Sequence, residues 1–240
     1  MTTGSTCHGP GEVVQMELSR VEIAKMIDHT FLKPEGTEED VARLVSEGLK
    51  YGFHAVVVNP YFVPLASKLA EGSELKVCSV VGFPLGATLP EAKAREAEFV
   101  GRAGAHEVDM VINVGALKSG LDDVVLDDIS GVVNAFRSVR PEGVVKVILE
   151  TGLLTREEIE AACALVEEAG ADFVKTSTGF GPRGATVEDV RLLRRLVGDR
   201  LGVKAAGGIR TYEQAMAMIE AGANRIGTSS GVKIVEGAPE

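Results

Sequence analysis

The chain has no tryptophan, three tyrosines and eight phenylalanines in 240 residues, so aromatic side chains make up only 5% of it. A surface that stacks nucleobases needs aromatics among Lys and Arg. Basic residues are scarce as well: 25 Lys and Arg stand against 35 Asp and Glu, a net charge of −10. The two shortages together exclude a nucleic-acid partner, and the acidic balance excludes the basic face that a membrane surface would attract. Cysteine is also rare. Cys7, Cys78 and Cys163 are odd in number and lack metal-ligand spacing, which excludes a disulfide framework and fits free thiols in a reducing cytoplasm. His29, His54 and His106 show no metal spacing either. No apolar run approaches the roughly 20 residues that cross a bilayer, and the start of the chain lacks a basic region followed by an apolar core. A soluble, cytoplasmic protein is expected.

What is present is a globular composition, with 45% hydrophobic and 25% charged residues, long enough for one large domain with a full core. Residues 1–16 are rich in Gly, Ser and Thr and show no sustained period, so they read as a mobile tail. No linker-like stretch follows residue 20, which leaves 17–240 as one domain. Within it, short β-branched runs alternate with longer amphipathic patterns. Strands are expected over 27–33, 55–59, 76–83, 107–113, 144–150, 172–176, 202–206 and 225–228; helices are expected over 38–51, 89–103, 124–139, 156–169, 187–196 and 212–221. Three of these helices run into Ala-Gly-Ala, where the glycine supplies a left-handed end. Eight strands alternating with helices are the pattern of a parallel (β/α)8 TIM barrel of the α/β class. Polar residues at the C-terminal ends of many strands favour this ring over a doubly wound open sheet, which would gather them at one crevice.

Two lysines stand inside strand-like apolar runs: Lys175 in Ala171-Asp-Phe-Val-Lys-Thr-Ser-Thr-Gly-Phe180, and Lys204 in Leu201-Gly-Val-Lys-Ala-Ala-Gly-Gly-Ile209. A buried ammonium is expensive, so such lysines persist where a pKa is being lowered to free an amine. A cationic neighbour lowers it further, and a neutral lysine attacks carbonyls to form a Schiff base. The pair points to carbonyl chemistry without a metal. Asp109, flanked by Val108 and Met110 in the fourth strand, faces into the barrel by alternation and is placed to pair with a lysine or to move protons. The last two strands end in Ala205-Ala-Gly-Gly-Ile209 and Gly227-Thr-Ser-Ser-Gly231, glycine- and serine-rich loops at the positions where barrels often bind phosphate.

Six segments in order along the chain carry a resemblance: Asp28-His-Thr-Phe-Leu-Lys33, Glu107-Val-Asp-Met-Val-Ile-Asn113, Lys146-Val-Ile-Leu-Glu-Thr151, Phe173-Val-Lys-Thr-Ser-Thr-Gly179, Val203-Lys-Ala-Ala-Gly-Gly-Ile-Arg210 and Arg225-Ile-Gly-Thr-Ser-Ser230. Together they resemble the 2-deoxyribose-5-phosphate aldolases, a class I aldolase family, from about Ile23 to Gly231. The resemblance implies reversible cleavage of 2-deoxy-D-ribose 5-phosphate to D-glyceraldehyde 3-phosphate and acetaldehyde, in deoxyribonucleoside catabolism. It implies no cofactor, no metal and a homo-oligomer, dimer or tetramer. Lys175 would form the Schiff base, Lys204 would be the ammonium beside it, and Asp109 would assist proton transfer. Asp28 would help hold substrate hydroxyls and Lys146 would act electrostatically, while Thr178, Gly179, Gly207, Gly208, Ser229 and Ser230 would cradle the phosphate. Three positions depart from the pattern. Val57 stands where many members have cysteine, Phe180 where some have lysine, with Arg183 as a substitute cation, and the chain ends in Gly237-Ala-Pro-Glu240 without a terminal tyrosine. A phosphosugar isomerase or epimerase would share the phosphate site but has no need of Lys204; a silent phosphometabolite-binding barrel would bind ligand and form no imine.

Overall fold

A computed structural model describes residues 17–240; the expected tail, 1–16, lies outside them. Among the described residues eight parallel strands close on themselves in sequence order, β1 to β8. They are β1 Ile27–Phe31, β2 Ala55–Val58, β3 Lys76–Val81, β4 Glu107–Val111, β5 Val144–Ile148, β6 Phe173–Lys175, β7 Gly202–Ala206 and β8 Arg225–Thr228. The seam is β1 against β8, with Asp28 opposite Gly227. This is the expected (β/α)8 barrel, and β7 and β8 have the expected limits. The other strands stop one or two residues sooner, because Leu32, Lys33, Asn59, Gly82, Asn113 and Glu150 have already turned into loops at the barrel mouth.

The helices form where local chemistry starts and stops them. In α2, Glu38–Tyr51, Thr37 and Asp40 make a reciprocal capping box, three acids line the first turn, and Gly52 ends the helix at φ 69°. Thr155 and Glu158 cap α7, Arg156–Glu168, in the same way. The glycines of the three Ala-Gly-Ala ends, Gly104, Gly170 and Gly222, all have positive φ. Two longer helices, α4 (Pro90–Arg102) and α6 (Asp122–Val139), pack against each other over one side of the barrel; α8 (Val187–Val197) and α9 (Tyr212–Glu220) cover the other. The short helices α1 (Arg20–Ala24), α3 (Val63–Leu69), α5 (Val114–Lys118) and α10 (Gly231–Glu236) are too brief to show a 3.6-residue period in sequence, which explains why pattern reading passes over them.

Alternation along each strand divides the side chains between two interiors. Val56, Val108, Met110, Val145, Val147, Val174 and Val203 face the helices and form the main core. The opposite faces fill the barrel lumen, which is itself split. Ala55 and Val57 of β2, Cys78 and Val80 of β3 and the nearby Leu32 form a small apolar cluster, while β1 and β4 to β8 supply Asp28, Glu107, Asp109, Lys146, Lys175, Lys204 and Arg225, all buried or nearly so.

Candidate active site

Asp109 is the centre of the charged half. Its Oδ2 accepts from Lys175 Nζ at 2.7 Å and from Lys204 Nζ at 2.7 Å, and its Oδ1 from Lys146 Nζ at 2.9 Å. Strand pairing brings them together: Asp109 is opposite Lys146 across β4 and β5, and Lys175 opposite Lys204 across β6 and β7. Gly227 of β8 makes room for the Lys204 stem, since a Cβ there would stand 3.0 Å from Lys204 Cε. Below this layer Lys204 also pairs with Asp28 Oδ2, whose Oδ1 accepts from Arg225 at 3.0 Å. Lys146 reaches Glu107 at 2.6 Å, and Glu107 pairs with His54 at 2.7 Å.

These contacts set the three lysines apart. Burial pushes every ammonium here toward neutrality. For Lys204 the carboxylates of Asp109 and Asp28 outweigh that push, so its pKa lies above the ordinary lysine value. Lys146, between Asp109, Glu107 and Asp28, is held well above it. For Lys175 burial, aided by the Lys204 ammonium, prevails over Asp109 and the pKa falls. Burial opposes charge on Asp109 too, but the surrounding lysines, Lys146 foremost, hold it well below the carboxylate range.

Above Lys175 opens a cavity of about 270 Å³ at the C-terminal end of the strands. Among the described residues Lys175 is the one interior lysine on its wall, and it is 3% exposed. Thr178, Gly179, Gly207, Gly208 and Ser229 line the cavity as well. Gly179, Gly207 and Gly208 have φ of 87°, 91° and 82°, a backbone region open to glycine and unfavourable to other residues. A Cβ on Gly207 would stand 2.9 Å from Gly184 Cα, so two loop backbones touch there. Ser230 is not on the wall; its amide donates to Thr228 Oγ1. Asp28 and Lys146 also lie away from the wall. Asp28, which the resemblance assigns to substrate hydroxyls, has one oxygen paired with Lys204 and the other with Arg225.

Arg183, expected as the substitute cation for the lysine that Phe180 replaces, is not on the cavity wall. Its guanidinium is held by Asp189 and the Thr151 carbonyl, whereas Phe180 lies edge-on to Phe83, ring centres 5.4 Å apart, across the barrel mouth. The cations on the cavity wall are Lys33 and Arg210. Both sit in loops just past a strand, and their signal in sequence was that position alone. Pattern reading also passes over Glu107 and Arg225, though Glu107 stands two residues from Asp109 and therefore on the same strand face; His54, read without metal spacing, hydrogen-bonds to Glu107. A thiol is present in the lumen after all: Cys78, opposite Val57, lies 3.3 Å from Asp109 Oδ1. Burial first, then Asp109, raises its pKa and keeps it protonated. Asp28, His54 and Glu107 bring donor atoms within 4.8 Å of one another, but Lys146 and Arg225 already neutralise these carboxylates.

A lowered-pKa amine at the floor of a barrel cavity, with glycine backbone and cations at its rim, defines a lysine-centred enzyme of carbonyl compounds. The chain belongs to the DeoC/LacD family aldolases, whose model matches residues 22–237. It is 62% identical over 220 residues to the deoxyribose-phosphate aldolase of Thermococcus gammatolerans, covering 91% of this chain and 97% of that one. It is 59% identical to the deoxyribose-phosphate aldolase of Thermococcus kodakarensis over 93% of this chain and all of the relative. Among solved structures, the tetrameric deoxyribose phosphate aldolase from Aeropyrum pernix superposes with a TM-score of 0.84 at 42% identity, covering 91% of both chains. The protein is therefore an aldolase, a carbon–carbon lyase.

Proposed function

We propose that the enzyme cleaves 2-deoxy-D-ribose 5-phosphate reversibly to D-glyceraldehyde 3-phosphate and acetaldehyde, with Lys175 as the Schiff-base residue. The observation that carries this reading is that Lys175 alone among the interior lysines faces the cavity, while Lys204 and Lys146 are each committed to two or more carboxylates. Neutral Lys175 attacks the substrate aldehyde, and loss of water leaves an iminium. The iminium takes up the electron pair of the breaking carbon–carbon bond as the adjacent hydroxyl gives up its proton. Glyceraldehyde 3-phosphate departs and an enamine of the two-carbon unit remains. Protonation of the enamine carbon and addition of water then release acetaldehyde and return the amine. Asp109, within hydrogen-bond reach of both Lys175 and Lys204, is placed to pass these protons.

The phosphate would sit against Gly179, Gly207, Gly208 and Ser229, with Lys33 and Arg210 supplying local positive charge against the net acidity of the chain. This reading carries a small phosphorylated sugar as the substrate, no nucleic-acid partner and a cytoplasmic, homo-oligomeric enzyme. No helix among the described residues is long and apolar enough to cross a membrane. Incubation with acetaldehyde and cyanoborohydride followed by peptide mass spectrometry tests the assignment. A reduced two-carbon adduct on Lys175 is expected; an adduct on Lys204 instead would exchange the two roles.

A further inference from the structure

Glu107 and Arg225 begin β4 and β8, at the end of the lumen remote from the cavity, and neither lines it. Each is expensive to bury, and an isolated structural pair at this end would need only the other as partner. Their contacts extend further. Glu107 takes Lys146 at 2.6 Å, lies 3.5 Å from Arg225 and pairs with His54, while Arg225 reaches Asp28 at 3.0 Å. Through Lys146 and Asp28 both join the ions around Asp109, so the lumen holds one connected set.

The set contains three carboxylates, Asp28, Glu107 and Asp109, and four cationic side chains, Lys146, Lys175, Lys204 and Arg225. Cys78 adds a protonated thiol and His54 closes the outer edge, part-exposed beside Glu107. In a low-dielectric interior a neutral total is favoured strongly, and with three ionised carboxylates it requires one of the four cationic groups to give up its proton. Arg225 cannot do so. Lys146 has Asp109 at 2.9 Å, Glu107 at 2.6 Å and Asp28 at 3.8 Å, and Lys204 has Asp109 and Asp28. Lys175 has Asp109 alone.

We propose that Glu107 and Arg225 are positioning residues for the reactive amine: by fixing the charge count at the closed end of the lumen, they decide that Lys175 stands neutral at its open end. They touch no substrate and act through Lys146 and Asp28. The proposal rests on Lys175 being the imine-forming residue. It yields effects of opposite sign. Arg225→Met removes a cation, leaves a net negative interior and makes Lys175 hold its proton to higher pH. Glu107→Gln removes an anion and makes Lys175 lose its proton at lower pH. One charge across the lumen moves the midpoint by about one pH unit, at an effective permittivity of ~20 and a separation of ~10 Å.

The experiment follows acetaldehyde adducts at Lys175, trapped by cyanoborohydride, against pH in the full-length protein. Relative to wild type, the midpoint is expected about one unit higher in Arg225→Met and about one unit lower in Glu107→Gln. It should be close to wild type in the double variant and in Arg225→Lys, which keeps the charge. A purely structural role would lower stability in each single variant without opposite shifts. Midpoints that stay put, or move the same way in both single variants, overturn the proposal. If Arg225→Met does not fold, Glu107→Gln decides alone, since a midpoint unmoved or raised there is equally fatal. Absence of any adduct on Lys175 in the wild type instead overturns the imine assignment, so the two failures are told apart.

Discussion

Asp109 meets three lysine side chains with two oxygens, so loss of one neighbour redistributes charge over the others. Lys204→Leu removes the cation beside Lys175; the amine then keeps its proton to higher pH, and the acid limb of kcat/KM should move upward. Removal of such a group costs about 10²–10⁴-fold in rate, and a pH profile of retro-aldol activity checks both effects. At the rim, Ser229→Asp puts a carboxylate on the cavity wall. It should raise KM for 2-deoxyribose 5-phosphate far more than for unphosphorylated 2-deoxyribose, because only the first brings a like charge; equal losses on both would move the phosphate elsewhere. Lys175, Lys204 and Asp109 were legible in the sequence because a charged residue inside an apolar β run has few places to go except the lumen. Alternation reveals which face a side chain takes and says nothing of its height along the barrel axis. For that reason the pairing of Asp28 with Lys204 and Arg225 is not visible in the sequence. Glu107 and Arg225 open their strands directly after polar loops, where a charge looks like an ordinary surface end.

At the scale of elements, the site depends on how α4 and α6 grip β4. Lys93 of α4 is fully buried; its Nζ donates to the Val111 carbonyl at the end of β4, 2.9 Å away, and pairs with Asp128 of α6. Burial lowers the pKa of Lys93 and raises that of Asp128, each against the pull of the other. Such a pair is costly to break and cheap to replace. Lys93→Met alone should therefore cost about 3–5 kcal/mol in urea or thermal unfolding, whereas Lys93→Met with Asp128→Leu should recover most of it. The limits of α4 and α6 are readable to within two residues from their apolar period, with Pro90 opening α4 and Gly104 following its end. The buried pair between them is not. A lysine and an aspartate on amphipathic helices look like solvated residues until packing brings the two helices together.

The whole molecule carries an apolar groove on the outer face between α3 and α4. Tyr61 and Phe99 stand 80% and 66% exposed there, beside Pro60, Pro64, Ala92 and Val100, with Leu85 and Leu89 also exposed on the segment leading into α4. Large exposed aromatics grouped in this way are typical of association surfaces. With a homo-oligomer as the expected assembly, this groove is the candidate contact between copies. Light scattering should give a multiple of the one-chain mass for the wild type and a smaller species for Tyr61→Glu with Phe99→Glu; an unchanged mass would move the contact elsewhere. The closure of the barrel has its own consequence for folding. Asp28 on β1 and Arg225 on β8 meet across the seam, and under the proposal above this contact completes the charge balance around Lys175. Order within the separate strand–helix units is then not enough for a reactive amine. The amine matures when β8 docks on β1, so capacity for the acetaldehyde adduct should return during refolding together with the closed barrel and not ahead of it.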